Sequence, residues 1–201
     1  MAVLFANNNS LSAITTKPSG LSGGTMTLLS TQTASSSSTI SFTSGIDSTY
    51  DEYVFKFIDV HPETNNVTLE FNVSIDGGSN YNVAKTTTHF RTYLKEDGSG
   101  GFLGYITGFD LAQGTGEHTL SGGVGNDGDQ SLSAQLSLFN PSSTTYVKHF
   151  TARTQFYEAA DFSESNFSGG YVNTTSAVNA IRFKFSSGNI DAGTFKMYGI
   201  S

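Results

Sequence analysis

Side chains that could carry acid–base or nucleophilic chemistry are scattered singly along this chain. The four histidines are His61, His89, His118 and His149. In the two acidic pairs, residues 51–52 and 96–97, adjacent carboxylates would point to opposite faces of a strand and could not converge on one substrate. There is no G-x-S-x-G segment, and cysteine is absent. We therefore expect no catalytic residues and no enzymatic activity.

Oxygen ligands for a cation occur in two short loops. The segment GNDGDQ contains Asn126, Asp127 and Asp129, and the segment DGGSN contains Asp76 and Asn80. Such oxygens suit Ca²⁺, but the distal Glu of an EF-hand is missing, and Asn, Asp and Gly are also the residues that tight turns require. The sequence predicts no metal and no cofactor, and leaves the two loops as the calcium candidates.

Partner-binding residues are predicted among tyrosines near loops and in the N-terminal segment. A tyrosine offers an apolar ring with a polar tip, which suits protein or glycan surfaces. The tyrosines near loops are Tyr81, Tyr93, Tyr105, Tyr146 and Tyr171. The residues selected as partner-binding are Asn7, Asn8, Asn9, Tyr93, Tyr105 and Tyr146.

The composition is that of an acidic chain with many hydroxyl groups. Lys and Arg number 10 against 17 Asp and Glu, which gives a formal net charge of −7. This charge repels phosphate backbones, and no Lys/Arg cluster with interleaved aromatics offsets it. We therefore expect no nucleic-acid binding.

Residues 1–24 are polar, contain Gly and Pro, and predict an extended arm. The apolar tetrad at residues 2–5 lacks the basic segment of a signal peptide. No stretch elsewhere approaches the ~20 apolar residues that span a bilayer. We expect a chain made in a reducing cytosol without membrane association.

From residue 25 onward the apolar residues recur with a period of two, which predicts strands. Strands are predicted at residues 25–30, 38–44, 53–61, 67–75, 89–94, 131–139, 146–156, 180–185 and 194–200. The serines between the first two strands favour a turn, and the glycines of residues 95–130 favour long surface loops. The one plausible helical turn is at residues 157–162.

This pattern predicts an all-β protein. The architecture it favours is a single antiparallel β-sandwich, jelly-roll-like, with an up-and-down barrel as the alternative. The domains are then an arm at 1–24 and a β-sandwich at 25–201 that includes the long Gly-rich loop region. The last strand, which ends at Ile200, is expected to lie within a sheet.

Four segments resemble a known family. They are residues 35–66, the segments DGGSNYN and LSLFNPSS, and residues 178–201 with the ending SSGNIDAGTFKMYGIS. They are similar to virion structural proteins of tailed phages, particularly marine ones. The resemblance covers about two thirds of the chain and omits the first thirty residues and the glycine-rich middle. It implies location in the virion and synthesis in the bacterial host cytoplasm, and it supplies no binding residues.

Two functions follow as expectations. The first is a capsid decoration or cement protein, favoured by the compact length and the arm, with the major capsid protein or tail components as partners. Such proteins form symmetric homo-oligomers, a trimer among them. The alternative is a tail-fibre or receptor-binding module for host surfaces or glycans, favoured by the tyrosines and the loops of 95–130. A glycan-cleaving enzyme lacks the paired carboxylates it would need.

Overall fold

The structure, a computed structural model, describes residues 26–200, and the regular secondary structure of these residues is almost entirely β. The strands in chain order are β1 (Thr27–Ser37), β2 (Ile40–Phe42), β3 (Glu52–Pro62), β4 (Leu69–Ser74), β5 (Lys85–Lys95), β6 (Gly101–Tyr105), β7 (His118–Thr119), β8 (Leu132–Phe139), β9 (Lys148–Glu158), β10 (Phe162–Val172), β11 (Ala180–Phe185) and β12 (Ile190–Ile200). A 3₁₀ turn lies at Thr107–Phe109. Within this part of the chain no helix has the length and apolarity to cross a bilayer. The predicted arm at 1–24 lies outside the described residues.

The strands form two antiparallel sheets that pack as a sandwich, as predicted. The large sheet has eight strands in the order β1-β12-β3-β8-β9-β10-β5-β6, and the small sheet has four in the order β2-β11-β4-β7. We call the face of the large sheet that meets the small sheet its inner face, and the opposite one its outer face. A jelly-roll topology is not confirmed, because the twelve strands divide eight and four, whereas a jelly roll has eight in all.

An aromatic cluster between the sheets forms the centre of the core. Phe183 on β11 packs against Phe57 and Phe55 of β3 at ring-centroid distances of 4.7 and 5.6 Å. Phe71 on β4 packs against Phe150 on β9 at 5.0 Å. All five rings are at most 2% exposed. Phe55 and Phe57 lie at alternate positions of β3, so both rings point from the inner face toward the small sheet.

The C-terminal strand lies inside the large sheet, as expected from its apolar alternation. β12 pairs with β1 on one side and with β3 on the other. Phe195 and Met197 are buried in the core, whereas Tyr198 lies on the outer face. The sheet therefore uses its last strand as an internal one.

Three local predictions were wrong. Residues 31–37 form most of β1 and no turn, because an edge strand is held by backbone hydrogen bonds to β12 whatever its side chains. The predicted helical turn at 157–162 is the tight turn of the β9–β10 hairpin. β10 itself was missed, because its polar SESNFSGG run hides the alternation.

The 95–130 region is also more ordered than predicted. It contributes β6 and β7, and it sends Leu120 and Val124 into the core. In the predicted strand 67–75, of which β4 is the central part, the polar Asn72 is buried, whereas the apolar Ile75 is 42% exposed. These differences bring buried polar side chains into the sandwich, as described below.

Candidate functional site

The most exposed apolar surface lies where the large sheet ends. β6 is the last strand of that sheet, and within residues 26–200 no strand pairs with its outer side. Leu103 and Tyr105 on β6 are 74% and 55% exposed. We call the aromatic edge the group formed by Phe90, Leu94, Phe102, Leu103 and Tyr105, all on β5 and β6. Contiguous exposed apolar side chains of this kind mark interaction sites.

Stacked rings on both faces of the sheet hold the aromatic edge in place. On the outer face Phe90 stacks on Phe167 of β10, with ring centroids 5.1 Å apart and planes 11° apart. On the inner face Tyr93 stacks between Phe162 at 4.7 Å and Phe102 at 5.7 Å. These rings fix the side chains in one arrangement before any partner binds.

The predicted partner tyrosines do not form one surface. Tyr93 and Tyr105 lie on neighbouring strands but on opposite faces, since Tyr105 pairs with Phe90 and Tyr93 with Phe102. Tyr105 donates a hydrogen bond to Asp110, and this bond raises the pKa of its hydroxyl. Tyr146 is 71% exposed, in the loop before β9, near the opposite end of β5. The predicted Asn7, Asn8 and Asn9 lie outside the described residues.

A single row of side chains crosses the outer face of the large sheet. Cross-strand pairing joins its members in the order Thr31, Lys196, Lys56, Gln135, Arg153, Phe167, Phe90 and Tyr105. We call this the outer-face row. It contains three cations and no carboxylate, and it ends in the aromatic edge. Sequence alternation around Lys56 and Arg153 places each of them outward, but their adjacency depends on the order of the strands.

A polar groove lies over the middle of this row. Its volume is about 560 Å³. The groove is lined by Ser133, Ala134, Gln135, Ser137, Thr151, Ala152, Arg153, Gln155 and Phe167. Ser133 and Gln155 also line an adjoining cavity of about 340 Å³ toward the β9–β10 hairpin. The outer face thus offers hydroxyl, amide and guanidinium groups around an open depression.

A second polar group is buried between the sheets. His89 on β5 and His118 on β7 are 0% exposed, with ring centroids 6.4 Å apart. Among residues 26–200, no group makes a hydrogen bond of good geometry with a nitrogen of either ring, although the Thr119 carbonyl and the Asn166 side chain lie beside His89. Burial lowers the pKa of His89 to about 4 and, with the charges of His89 and Lys85, that of His118 to about 3. Both imidazoles are therefore neutral at physiological pH.

Lys85 and Glu164 bring charge into the same region. The Lys85 ammonium donates to Asn72 Oδ1 at 2.6 Å and to the Val83 carbonyl at 2.9 Å. Burial lowers its pKa to about 8. Glu164, only 1% exposed, faces Arg91 Nη1 at 3.5 Å, and burial outweighs this ion pair and raises its pKa. With 0% exposure His89 and His118 have no contact with solvent, so this cluster acts on stability.

The two calcium candidate loops are held by hydrogen bonds within the protein. In one, the Asn126 side chain donates to the Glu63 carbonyl at 2.9 Å, and Gln130 N donates to the Asp127 carbonyl at 2.9 Å. In the other, the Asp76 carboxylate accepts from Ser74 Oγ, Asn80 N and Asn80 Nδ2, and these bonds lower its pKa to about 2.

Asp129 is exposed in the first of these loops. In the described part of the chain, no group of three or more His, Asp or Glu side chains is placed to hold a metal ion.

Comparisons with protein-family models, curated proteins and solved structures find no significant match. The resemblance to phage virion proteins therefore stays a prediction.

Proposed function

We propose that this chain is a non-enzymatic structural protein of a phage virion, and that it decorates the capsid by docking through the aromatic edge. The observation that carries the proposal is the edge strand β6, which no further strand of residues 26–200 covers, with its exposed side chains Leu103 and Tyr105. The family resemblance of the sequence supports the virion as the place of assembly.

The chemistry of β6 favours a protein partner. Natural sheets protect edge strands with charges, prolines or bulges, yet the β6 sequence GFLGY has no charge and no proline. No strand of the described chain pairs with the free side of β6. Another virion protein, or a second copy in a symmetric homo-oligomer, would pair with these backbone groups and cover the apolar side chains on both faces. A trimeric arrangement stays part of the proposal.

The experiment is the rebinding of purified protein to capsids that lack it. We expect wild-type protein to bind to saturation and Leu103→Asp to lose binding, because a carboxylate would be buried at the interface. Tyr146→Asp is the matched control, since Tyr146 is exposed to a similar extent but lies away from β6. Circular dichroism and the midpoint of thermal unfolding, Tm, establish that each variant is folded.

Two outcomes would contradict this proposal. Equal binding of the Leu103 and Tyr146 variants would mean that the aromatic edge is not the docking surface. Failure of wild-type protein to bind the capsids, combined with binding to tails or host cells, would exclude the decoration role.

The second candidate is a tail-fibre or receptor-binding module, and the polar groove of the outer face is the observation that favours it. Hydroxyl, amide and guanidinium groups around an open groove suit a hydrophilic ligand on a host surface. Competition between purified protein and phage for adsorption to host cells tests this candidate.

A further inference from the structure

The outer-face row holds three cations that no residue of the described chain neutralises. Lys56, Arg153 and Lys196 form no ion pair with any residue of the described chain. Elsewhere, Arg91 pairs with Glu164 and Arg182 with Glu117. The whole chain has a net charge of −7, whereas this row carries three positive charges and no carboxylate. The charge of the row is therefore opposite in sign to that of the chain.

Two of these cations are held by aromatic rings. The Arg153 guanidinium lies 5.3 Å from the centroid of the Phe167 ring, and Phe167 in turn stacks on Phe90. The Lys56 ammonium lies 5.7 Å from the centroid of the Tyr198 ring. The contact with Phe167 restrains the Arg153 side chain. Within the described residues its guanidinium makes no ion pair, and a guanidinium can bind a ligand carboxylate with two parallel hydrogen bonds.

Neutral polar groups surround the cations. Gln135 and Thr151 are exposed, and neither side chain makes a hydrogen bond within the described residues. Gln135 lies directly between Lys56 and Arg153 in the row, which places the two cations two strands, or about 10 Å, apart. The surface therefore alternates charge with groups that bind hydroxyls.

We propose that the outer-face row binds an acidic polysaccharide, with its carboxylates on Arg153 and Lys56 and its hydroxyl groups on Gln135 and Thr151. This inference rests on the receptor-binding candidate function and names its ligand class. The groove of about 560 Å³ accommodates sugar rings, and the Phe167 edge gives them an apolar contact.

A nucleic acid fits this surface less well. Its phosphates are closely spaced along the backbone, and three cations cannot offset their repulsion by the net charge of −7. An acidic polysaccharide carries hydroxyl groups between its carboxylates, and these hydroxyls can bind the amide and hydroxyl groups that the groove supplies.

The test uses the purified full chain on an array of carboxylated, sulphated and neutral oligosaccharides, with single-stranded DNA as a polyanion control. We expect binding to be confined to acidic glycans and to weaken as salt is added. Calorimetry with the strongest array ligand then compares variants. Arg153→Gln and Lys56→Gln should each lower affinity about tenfold, whereas Lys184→Gln, the same charge change on β11 of the small sheet, should leave it unchanged.

Each result separates the ligand class from the function it rests on. Binding to neutral glycans alone would overturn the acidic ligand while leaving the receptor-binding candidate standing. Equal binding of DNA and acidic glycans would show nonspecific attraction of polyanions and overturn the proposal. Absence of any glycan binding, together with no competition for host adsorption, would overturn both.

Discussion

Acidification should destabilise the fold through His89 and His118, and the substitution His118→Leu should remove part of that effect. Both rings are fully buried without well-formed hydrogen bonds. Their pKa values, about 4 and about 3, lie below the value of 6.5 expected in the unfolded chain. As the pH falls below 6.5, the two histidines bind protons in the unfolded chain but stay neutral in the folded one. The free energy of unfolding is therefore highest above pH 6.5 and decreases until the pH reaches the folded pKa values of about 4 and about 3.

The magnitude follows from the same pKa values. Between pH 8 and pH 5 the unfolded histidine takes up nearly a full proton, while His118 in the fold stays neutral. The linkage relation gives a loss of about 2 kcal/mol for each of the two histidines. Against a typical total of about 5–15 kcal/mol, a combined loss of about 4 kcal/mol is a large share.

The assay is urea unfolding followed by circular dichroism at a series of pH values from 8 to 5. Wild-type protein should lose stability across this range, and His118→Leu should lose about 2 kcal/mol less. The difference in the free energy of unfolding between the two proteins cancels the contributions of other titrating groups. One of these is Glu164, whose raised pKa makes acidification stabilise the fold. His149→Leu is the matched control, since His149 is exposed and should leave the wild-type profile unchanged. Parallel profiles for wild type and His118→Leu would refute the reasoning.

Three further predictions concern packing and the loops. Gly170→Ala should lower the free energy of unfolding in urea by about 2–3 kcal/mol, because the added Cβ would overlap the Thr86 carbonyl of β5. Gly169→Ala, the control, should change it by less than about 1 kcal/mol. Equal effects of the two substitutions would contradict this packing. Phe183→Ala should cost about 3–5 kcal/mol by emptying the centre of the aromatic cluster, and a loss below about 1 kcal/mol would show that this ring is not central. Asp76→Ala should speed amide hydrogen exchange in residues 77–80, because the Asp76 carboxylate accepts hydrogen bonds from Asn80. Adding calcium or a chelator should leave the Tm of the wild-type protein unchanged. A rise in Tm with calcium would show a bound cation.

The sequence predicted the strands whose apolar residues alternate clearly. β11 was predicted with the bounds it has, and β3, β8 and β9 were predicted to within two residues at each end. β10 was missed because its inner-face residues include Glu164 and Asn166, which are polar and buried. A polar side chain satisfied by partners from other strands leaves no signal in a period-two pattern of apolar residues.

The candidate surfaces were predictable only in part. Tyr105 was selected for its ring near a loop, and it does lie on the aromatic edge. The outer-face row was not predicted, because Lys56, Arg153 and Lys196 are far apart in sequence and meet only through the order and register of four strands. Strand order depends on long-range pairing, which alternation within a single strand cannot give.

The most direct test of the proposed virion role is the copy number of this chain per purified particle, measured by quantitative mass spectrometry against the major capsid protein. Symmetric decoration predicts roughly one copy for every one to three copies of the major capsid protein. A handful of copies per particle would contradict decoration and direct attention to the tail and to the outer-face row as its host-binding surface.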